Sequence, residues 1–504
     1  MVVDFEDLNI NQKQATEWSE GPLLVLAGPG SGKTAVLTLR IANLIKNTPD
    51  EKFRILGLTF TVKAANEMQN RIREIIGEFS RRIQLCTFHS FCTDLLRQHG
   101  SQLGLKPDFS VITDDKDRIA LLGEMRNSGE FEIDDPEDMI KKIDIMFTHG
   151  ITADDLSEYF DDDQEGLWRE LQKVFKGYLS ILVKENQLDF GSMLYFAREL
   201  LETKPRITKQ IRTVYPYICV DEFQDTNLAQ YSILRLLSPD TSSNLFVVAD
   251  DDQVIFQWNG ADPKRIEELK RDYEPKVIQL PENYRCPVKV VDLANKLISN
   301  NPGRTITRLD GISRNQKEGS IRIKSFNDFD DEIAGLITEI NIIPRNRRDT
   351  CLVIARSNKF LSIAKDSMQR KGITAEIVRR HQNFDSPFVL LIYYILKLAN
   401  SPASQSQLNK LCSIATQLGG YTVSADEIVK KANVKDISFL RAFFISSLKI
   451  PALKPFADLG GKLLYDSFNY FEFIDNCFSE IEKKHRNNER SEEHTSELQS
   501  RITI

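Results

Sequence analysis

A run of small residues between an apolar stretch and a helical pattern constrains the fold of this chain more than any other feature. LLVLA at 23–27 is continuously apolar, as is typical of a strand buried on both faces. AGPGSGKT at 27–34 follows directly, and TAVLTLRIANLIK at 34–46 has helical periodicity. A strand, a glycine-rich turn and a helix in this order predict a phosphate-binding loop.

In such a loop, backbone N–H groups turn inward to phosphate oxygens, and the helix N-terminus adds partial positive charge. We expect ATP phosphates to contact the residues of this loop, Ala27, Gly28, Pro29, Gly30, Ser31, Gly32, Lys33 and Thr34. Lys33 would bridge the outer phosphates, and the Thr34 hydroxyl would bind Mg²⁺. Ala27 departs from the strict pattern, which begins with glycine. The alternative interpretation is a glycine-rich turn with a surface lysine.

Two adjacent carboxylates form the second candidate feature. VDEFQDTN at 220–227 follows the apolar run YPYICV, so the pair lies at the C-terminal end of a strand, where open parallel sheets bind ligands. Asp221 can hold Mg²⁺, and Glu222 can orient and deprotonate an attacking water. Alone, such a pair is more often a solvated strand end, and the phosphate loop is what makes it specific.

Strands and helices alternate along the first ninety residues, which predicts an α/β fold with a parallel sheet. Strand patterns fade after residue 91 and return at YPYICVDE and NLFVVADD. Further strands are expected at SIRIKSF and DTCLVIARS. We expect a first α/β domain at 1–91 and 187–280, interrupted by a helical insertion at 92–186. A partial second α/β domain would follow at 281–381, with a partial second helical insertion at 382–490 and a non-native tail at 491–504.

Composition excludes several classes of protein. The chain has 504 residues, of which 41% are apolar and 28% charged, as in soluble proteins of several domains. It contains no apolar run long enough for a membrane span and no leader pattern, so we expect a cytoplasmic location. The net charge of -7 argues against one large basic surface for nucleic acid, but not against bases stacked on aromatic side chains.

Five further motifs occur in a fixed order. They are LNINQKQA, TFTVKAANEM, TFHSF, VVADDDQVIFQWNGAD and ENYRCP, at 8–15, 59–68, 87–91, 247–262 and 282–287. With the loop and the acidic pair, they resemble the UvrD/Rep-like superfamily 1 of ATP-dependent DNA helicases. That resemblance implies RecA-like parallel-sheet motor domains with mainly helical insertions. RRHQNFDSPF at 379–388 is similar to the second insertion of the family.

The resemblance implies further roles around the nucleotide. Gln12 would read the adenine edge, and Tyr284 would stack on the base. Gln253 would sense the γ-phosphate, and Arg285 would act as an arginine finger. The expected catalytic residues are therefore Lys33, Glu222, Gln253 and Arg285.

The resemblance also implies a path for single-stranded DNA along Phe60, Thr87, His89 and Trp258. Trp258 follows Gln253 by only five positions, so a change at the nucleotide would need only a short loop to reach a stacked base. In the alternative interpretation, Phe60 and Trp258 are core aromatics and His89 is a buried, hydrogen-bonded histidine.

Two later motifs of the family, HxxKGLE-like and VAxTRA-like, do not occur in the sequence, so we expect the second motor domain to be truncated. SEEHTSELQSR, near the end of the sequence, resembles translated adaptor sequence.

The sequence as a whole predicts an ATP-dependent DNA helicase and translocase that moves 3′ to 5′ on single-stranded DNA. Its cofactors would be ATP and Mg²⁺, and its partners would be single-stranded DNA and DNA duplex junctions, with no membrane. The alternative is a truncated module that binds ATP and single-stranded DNA without unwinding. A phosphoryl-transfer kinase is a third class, against which Gln253 and Trp258 argue.

Overall fold

The computed structural model describes residues 5–159, 165–301, 304, 307–377, 387–400, 402, 405–419 and 422–447. The chain forms two compact units, residues 1–323 and 324–504. The first unit includes residues 281–323, which the sequence analysis assigns to a second domain, and that assignment stays a prediction.

The described strands are short, and most belong to the first unit's central sheet. They are β1 (Leu23–Ala27), β2 (Ile55–Thr59), β3 (Ile83–Thr87), β4 (Ser110–Val111), β5 (Gln187–Leu188), β6 (Tyr217–Val220), β7 (Asn244–Ala249), β8 (Lys276–Leu280), β9 (Glu282–Pro287) and β10 (Ile312–Asn315). Six of them form a sheet in the order β3-β2-β6-β7-β1-β8, in which every pairing is parallel. The parallel α/β fold expected from the sequence is confirmed.

Helices join most of these strands and make up most of the described chain beyond them. They are α1 (Ile10–Thr16), α2 (Lys33–Asn47), α3 (Val62–Ile76), α4 (Phe88–His99), α5 (Asp115–Asn127), α6 (Pro136–Thr148), α7 (Glu165–Lys184), α8 (Phe190–Thr203), α9 (Pro205–Val214), α10 (Leu228–Leu237), α11 (Lys264–Tyr273), α12 (Val288–Ile298), α13 (Phe329–Ile342), α14 (Asn358–Arg370), α15 (Pro387–Asn400), α16 (Gln405–Gly419), α17 (Ala425–Lys435) and α18 (Phe439–Ser447). None of the helices in the described part of the chain combines the length and apolarity needed to cross a bilayer.

Local sequence explains where several of these helices begin. Thr61 caps α3, because its hydroxyl accepts a hydrogen bond from the Ala64 N–H. Asp189 and Asn227 cap α8 and α10 in the same way, and in both cases the third residue of the helix bonds back to the cap. Thr61 lies two residues after the end of β2, so the chain turns from strand to helix within a short loop at the sheet edge.

The central sheet is buried on both faces, as the continuous apolar pattern of β1 predicts. Leu23 and Val25 pack in one core cluster with residues of α2 and α3. Leu24 and Leu26 pack in a second cluster, with residues of α8 and α10. Successive side chains of a strand point to opposite faces, so one strand contributes to both cores.

Two strand predictions are wrong. SIRIKSF at 320–326 and DTCLVIARS at 349–357 form no strand, and their apolar side chains are largely exposed, Ile323 to 89% and Leu352 to 77%. An apolar segment becomes a strand only where a neighbouring strand accepts its hydrogen bonds and covers its faces. No described strand pairs with either segment. In the second unit, the described order is helical, with α13 packed on α14 and the four helices α15 to α18 around a common core.

Candidate phosphate site and the adjoining aromatic surface

Three neighbouring strands bring the candidate residues to one edge of the sheet. β6, β7 and β1 lie side by side, and because they are parallel their carboxyl ends meet at the same edge. Asp221 and Glu222 follow β6, Asp250 follows β7, and the loop 27–34 follows β1. The sheet topology therefore assembles one cluster from three segments that lie far apart in the sequence, at 27–34, 221–222 and 250.

Lys33 lies at the centre of this cluster. Its Nζ is 3.2 Å from Glu222 Oε2 and 3.8 Å from Asp250 Oδ2, and its side chain is only 10% exposed. The two features that the sequence analysis identifies independently, the loop lysine and the acidic pair, thus meet directly. The two carboxylates hold the Lys33 ammonium in place beside the loop.

The loop presents an N-terminal helix end without a side-chain cap. Gly32 precedes α2 with φ of +86°, a left-handed conformation that glycine adopts without steric cost, and no side chain bonds the first N–H groups of α2. On the outer side of the loop, the Asn283 amide donates to the Pro29 carbonyl and the Tyr284 N–H donates to the Gly30 carbonyl. The loop carbonyls are held outward, which leaves the helix N-terminus as an anion site.

Asp221 fits the role of a magnesium ligand. It is 5% exposed, and its Oδ1 has no hydrogen-bond partner among the described residues. Burial, and secondarily the nearby Glu222 carboxylate, raise the pKa of Asp221 to about 7. An unmet, desolvated carboxylate oxygen beside a phosphate loop is suited to a hard cation. Thr34, the other predicted ligand, is the second residue of α2.

Glu222 is held in an unusual backbone conformation. Its φ of +48° places a non-glycine residue in the left-handed region, which is rare and costs free energy. The Gln224 amide donates to Glu222 Oε2 at 2.7 Å, and the Gln224 carbonyl oxygen accepts from the Asp250 N–H at 2.9 Å. Gln224 therefore fixes the ends of β6 and β7 against each other. The Glu222 side chain remains 34% exposed, which leaves it open to a water molecule.

An acidic tripeptide, Asp250–Asp252, forms the second side of the site. One carboxylate oxygen from each residue lies within 4.8 Å of the others. Arg304 and Arg308 form ion pairs with these aspartates, and the Gln253 side chain donates to Asp250 Oδ2. Gln253 thus lies beside the carboxylate that Lys33 also contacts.

The two residues assigned to the adenine have partners within the protein. Gln12 donates from Nε2 to the Ser31 carbonyl at 2.9 Å and accepts from the Asn9 N–H at 3.0 Å. The Tyr284 hydroxyl accepts from Asn9 Nδ2 at 2.9 Å, and Tyr284 is 46% exposed. The amide of Gln12 would have to exchange these bonds to read a base. Arg285 is exposed, and its Cβ lies beside Gly30.

An aromatic surface adjoins the phosphate site. The Phe60 and Phe256 rings lie 4.9 Å apart, and the Phe256 and Trp258 rings lie 5.9 Å apart. Trp258 is 79% exposed, which contradicts the interpretation of this residue as a core aromatic. Beside it opens a cavity of about 430 Å³ that Trp258 and Thr148 help to line. The sequence analysis did not single out Phe256, although it lies in the same motif.

Thr87 and His89 are more enclosed. The Thr87 hydroxyl accepts from the Ser90 N–H at 3.1 Å and so caps α4. The His89 ring makes an edge contact with the Phe190 ring at 5.5 Å, and burial lowers the pKa of His89 to about 4. Thr87 ends β3 and His89 follows it at the same sheet edge, but their described contacts are structural.

Several site residues escaped the sequence analysis. Asp250 follows a buried strand, so the strand-end rule that identified Asp221 could have found it. Gln224 lies within the quoted motif VDEFQDTN and carries no separate signal for its bridging contact. Asn283 lies within the quoted motif ENYRCP, which carries no separate signal for its bond to the loop. Arg308 lies outside every motif and reaches the site only because the chain folds back after β8.

The phosphate loop follows β1, an inner strand of the parallel sheet, and an acidic residue follows the neighbouring strand β7. This arrangement defines the class of P-loop α/β proteins with a RecA-like fold. Two family models match the chain. The UvrD/REP helicase N-terminal domain matches residues 8–274, and the UvrD-like helicase C-terminal domain matches residues 278–500. The chain belongs to the UvrD/REP helicase family, and the resemblance inferred from its motifs is confirmed.

Curated relatives support the same assignment. The chain is similar to an ATP-dependent DNA helicase PcrA from Staphylococcus epidermidis, with 31% identity over 95% of this chain and 64% of the relative. It is similar to the PcrA helicase of Bacillus subtilis, with 30% identity over 86% of this chain and 59% of the relative. It is also similar to the PcrA helicase of Staphylococcus aureus, with 30% identity over 94% of this chain and 64% of the relative. The chain thus spans less than two thirds of the length of these relatives.

The C-terminal family match reaches residue 500 and so enters the segment 491–504. That segment, and most of RRHQNFDSPF at 379–388, lie outside the described residues. The non-native origin of the tail stays a prediction.

Proposed function

We propose that this protein is an ATP-dependent DNA helicase and translocase that couples ATP hydrolysis to movement along single-stranded DNA. One observation carries the proposal: Lys33 Nζ lies 3.2 Å from Glu222 Oε2, within one cluster at the carboxyl ends of parallel strands. This arrangement suits a nucleoside triphosphate, because the loop lysine binds outer phosphates and the glutamate reaches a water beside them. The similarity to relatives that are ATP-dependent DNA helicases supports DNA as the partner.

Each site residue has a definite task in this proposal. Asp221 and Thr34 would hold Mg²⁺, which supplies charge neutralisation on the phosphates. Lys33 and the N-terminus of α2 bind and orient the phosphates. Glu222 orients the attacking water and accepts its proton, which its partial exposure and fixed backbone favour.

Gln253 and Arg285 complete the proposed nucleotide chemistry. Gln253 responds to the γ-phosphate through the Asp250 carboxylate that it shares with Lys33. Arg285, whose Cβ lies next to Gly30, would stabilise charge on the transferring phosphoryl group. Gln12 and Tyr284 would bind the adenine after exchanging their present bonds.

The aromatic surface would carry the DNA strand. Trp258 and Phe60 offer ring faces to successive bases, and such stacking does not depend on base identity. We propose movement in the 3′ to 5′ direction and action at duplex junctions from membership of the family. The second candidate function is an ATP- and DNA-binding module without unwinding, which the exposed apolar segments 320–326 and 349–357 favour.

Nucleotide binding is tested first with Lys33→Ala. We expect the affinity for a fluorescent ATP analogue with Mg²⁺ to fall on the order of tenfold or more, because a charge-assisted contact to phosphate is lost. Lys46→Ala is the matched control, since Lys46 is an exposed lysine at the end of the same helix. Equal ATP affinity of Lys33→Ala and the parent would refute the proposal.

Motor activity is tested with two further assays on the parent chain. ATP hydrolysis, measured with and without single-stranded DNA, should increase several-fold with DNA if the aromatic surface and the phosphate site are coupled. Displacement of a labelled strand should then require a 3′ single-stranded tail and fail with a 5′ tail. Binding of ATP and DNA without stimulated hydrolysis or strand displacement would favour the second candidate function.

A further inference from the structure

Arg308 lies at the phosphate site although no sequence motif singles it out. It follows α12 in the first unit, and its side chain is only 3% exposed. The guanidinium reaches the acidic tripeptide Asp250–Asp252, with Nε 2.9 Å from Asp251 Oδ1 and Nη2 3.6 Å from Asp250 Oδ1. A guanidinium group is thus buried beside the residues proposed to bind ATP.

The hydrogen bonding of Arg308 is incomplete. Its Nε and Nη1 have no hydrogen-bond partner among the described residues, because the 2.9 Å contact with Asp251 is an ion pair in which the N–H is poorly aligned. Asp251 likewise has no hydrogen bond at either carboxylate oxygen within that part of the chain. Arginine in a buried site normally satisfies its planar fork with two parallel bonds to one anion. A guanidinium with unmet donors is therefore ready to take a better-placed oxygen.

The phosphate loop lies within reach of this guanidinium. A β-carbon placed on Gly28 would lie 3.8 Å from Arg308 Nη2. Asp250 connects the two cations of the site, since its Oδ1 faces Arg308 and its Oδ2 faces Lys33 at 3.8 Å. Arg308 and Lys33 thus flank one carboxylate above the start of the loop.

The shared carboxylate indicates which phosphate Arg308 would meet. In phosphate loops the lysine reaches the outer phosphates, β and γ. Arg308 and Lys33 contact the two oxygens of the same Asp250 carboxylate, so they lie close to each other. Arg308 would therefore face the same outer end of a polyphosphate as Lys33. A diphosphate lacks the outermost group, so it would leave Arg308 with its aspartates.

We propose that Arg308 exchanges Asp250 and Asp251 for the outermost phosphate and thereby makes the site prefer a nucleoside triphosphate over a diphosphate. The inference rests on the proposed function and adds a residue to it. Arg308 is the specificity-determining cation, and the acidic tripeptide is its resting partner in the absence of nucleotide.

The experiment compares a triphosphate and a diphosphate in matched variants of the full chain. Equilibrium binding of the non-hydrolysable analogue AMP-PNP and of ADP, both with Mg²⁺, is measured for the parent and for Arg308→Gln. We expect the AMP-PNP affinity to fall on the order of tenfold or more, and the ADP affinity to change less than about threefold. Arg308→Lys should recover part of the loss, since it keeps the charge but not the fork.

Arg304→Gln is the control for loss of an ion pair. Arg304 also binds the acidic tripeptide, with Nε 3.3 Å from Asp252 Oδ1, but it bonds Asp310 as well and has no described contact with the loop. Its replacement should leave the ratio of the two affinities unchanged. An equal loss of AMP-PNP and ADP binding in Arg308→Gln would overturn the inference and show a purely structural ion pair.

Asp251→Asn keeps the inference testable if Arg308→Gln does not fold. Removing the resting partner should free Arg308 and tighten AMP-PNP relative to ADP, whereas a structural role predicts weaker or unchanged binding of both. Lys33→Ala separates this inference from the proposed function. If that variant binds both nucleotides normally, the proposed site fails; if it loses both while Arg308→Gln retains the parent ratio, only the role of Arg308 fails.

Discussion

Gly30→Ala should destabilise the first unit by breaking the contact between the phosphate loop and the segment after β8. Gly30 has φ of +69°, and a β-carbon there would lie 2.6 Å from Arg285 Cβ and 3.1 Å from Asn283 Oδ1. Arg285 Cβ is attached to the backbone and cannot rotate away. The loop and the segment 282–287 must therefore separate.

The magnitude follows from what separates. A non-glycine residue in the left-handed region costs roughly 1–2 kcal/mol. Separation also removes the bonds from Asn283 to the Pro29 carbonyl at 2.6 Å and from the Tyr284 N–H to the Gly30 carbonyl at 2.9 Å, each worth about 1 kcal/mol. We expect the free energy of unfolding to fall by about 3 kcal/mol.

Tryptophan fluorescence during urea unfolding measures this loss of stability in the first unit. The three tryptophans of the chain, Trp18, Trp168 and Trp258, all belong to the first unit. Gly28→Ala is the matched control: its β-carbon meets only Arg308 Nη2, at an ordinary 3.8 Å, and its φ is not positive. It should change stability by less than about 0.5 kcal/mol. Equal stability of the two variants would refute the argument.

Two further predictions concern the aromatic surface and its surroundings. Trp258→Ala should weaken single-stranded DNA binding by roughly 1–3 kcal/mol, measured by fluorescence anisotropy, while Ile255→Ala, an exposed apolar neighbour, should not. For His89, burial lowers the pKa to about 4, below the unfolded value near 6.5. Its contribution to stability is therefore complete above pH 6.5 and decreases as the pH falls, by about 2 kcal/mol at pH 5. Urea unfolding at pH 6.5 and pH 5 measures how much free energy of unfolding is lost on acidification. The loss should be smaller in His89→Gln than in the parent, and equal losses would contradict the burial of His89.

The phosphate site could be predicted from the sequence because its signals are local. The loop 27–34 carries strand, turn and helix in one continuous segment, and Asp221 follows a strand that is apolar throughout. The rule that parallel strands bring their carboxyl ends to one edge then joins segments distant in the sequence. Trp258 was identified through the same motif that contains Gln253.

The remaining features depend on contacts that no local pattern encodes. SIRIKSF and DTCLVIARS have strand composition, but strand formation needs a hydrogen-bonding neighbour, and no described strand provides one. Arg308 lies 58 residues after Asp250, as their sequence numbers show, in a segment without any motif. The engagement of the Gln12 amide by Ser31 likewise depends on how α1 packs against the loop.

Asp250 is the point through which a phosphate could influence the aromatic surface. Its carboxylate contacts Lys33, Gln253 and Arg308, and its N–H donates to Gln224, so four side chains depend on one buried residue. A bound triphosphate that attracts Lys33 and Arg308 would remove two cations from this carboxylate at once. The hydrogen bond from Gln253 would then become the main contact that stabilises the Asp250 carboxylate. Gln253 lies only five residues before Trp258, so a shift of Gln253 could reach the aromatic surface. We therefore expect DNA affinity to depend on the outermost phosphate, and Arg308→Gln to weaken that dependence without altering DNA binding in the absence of nucleotide.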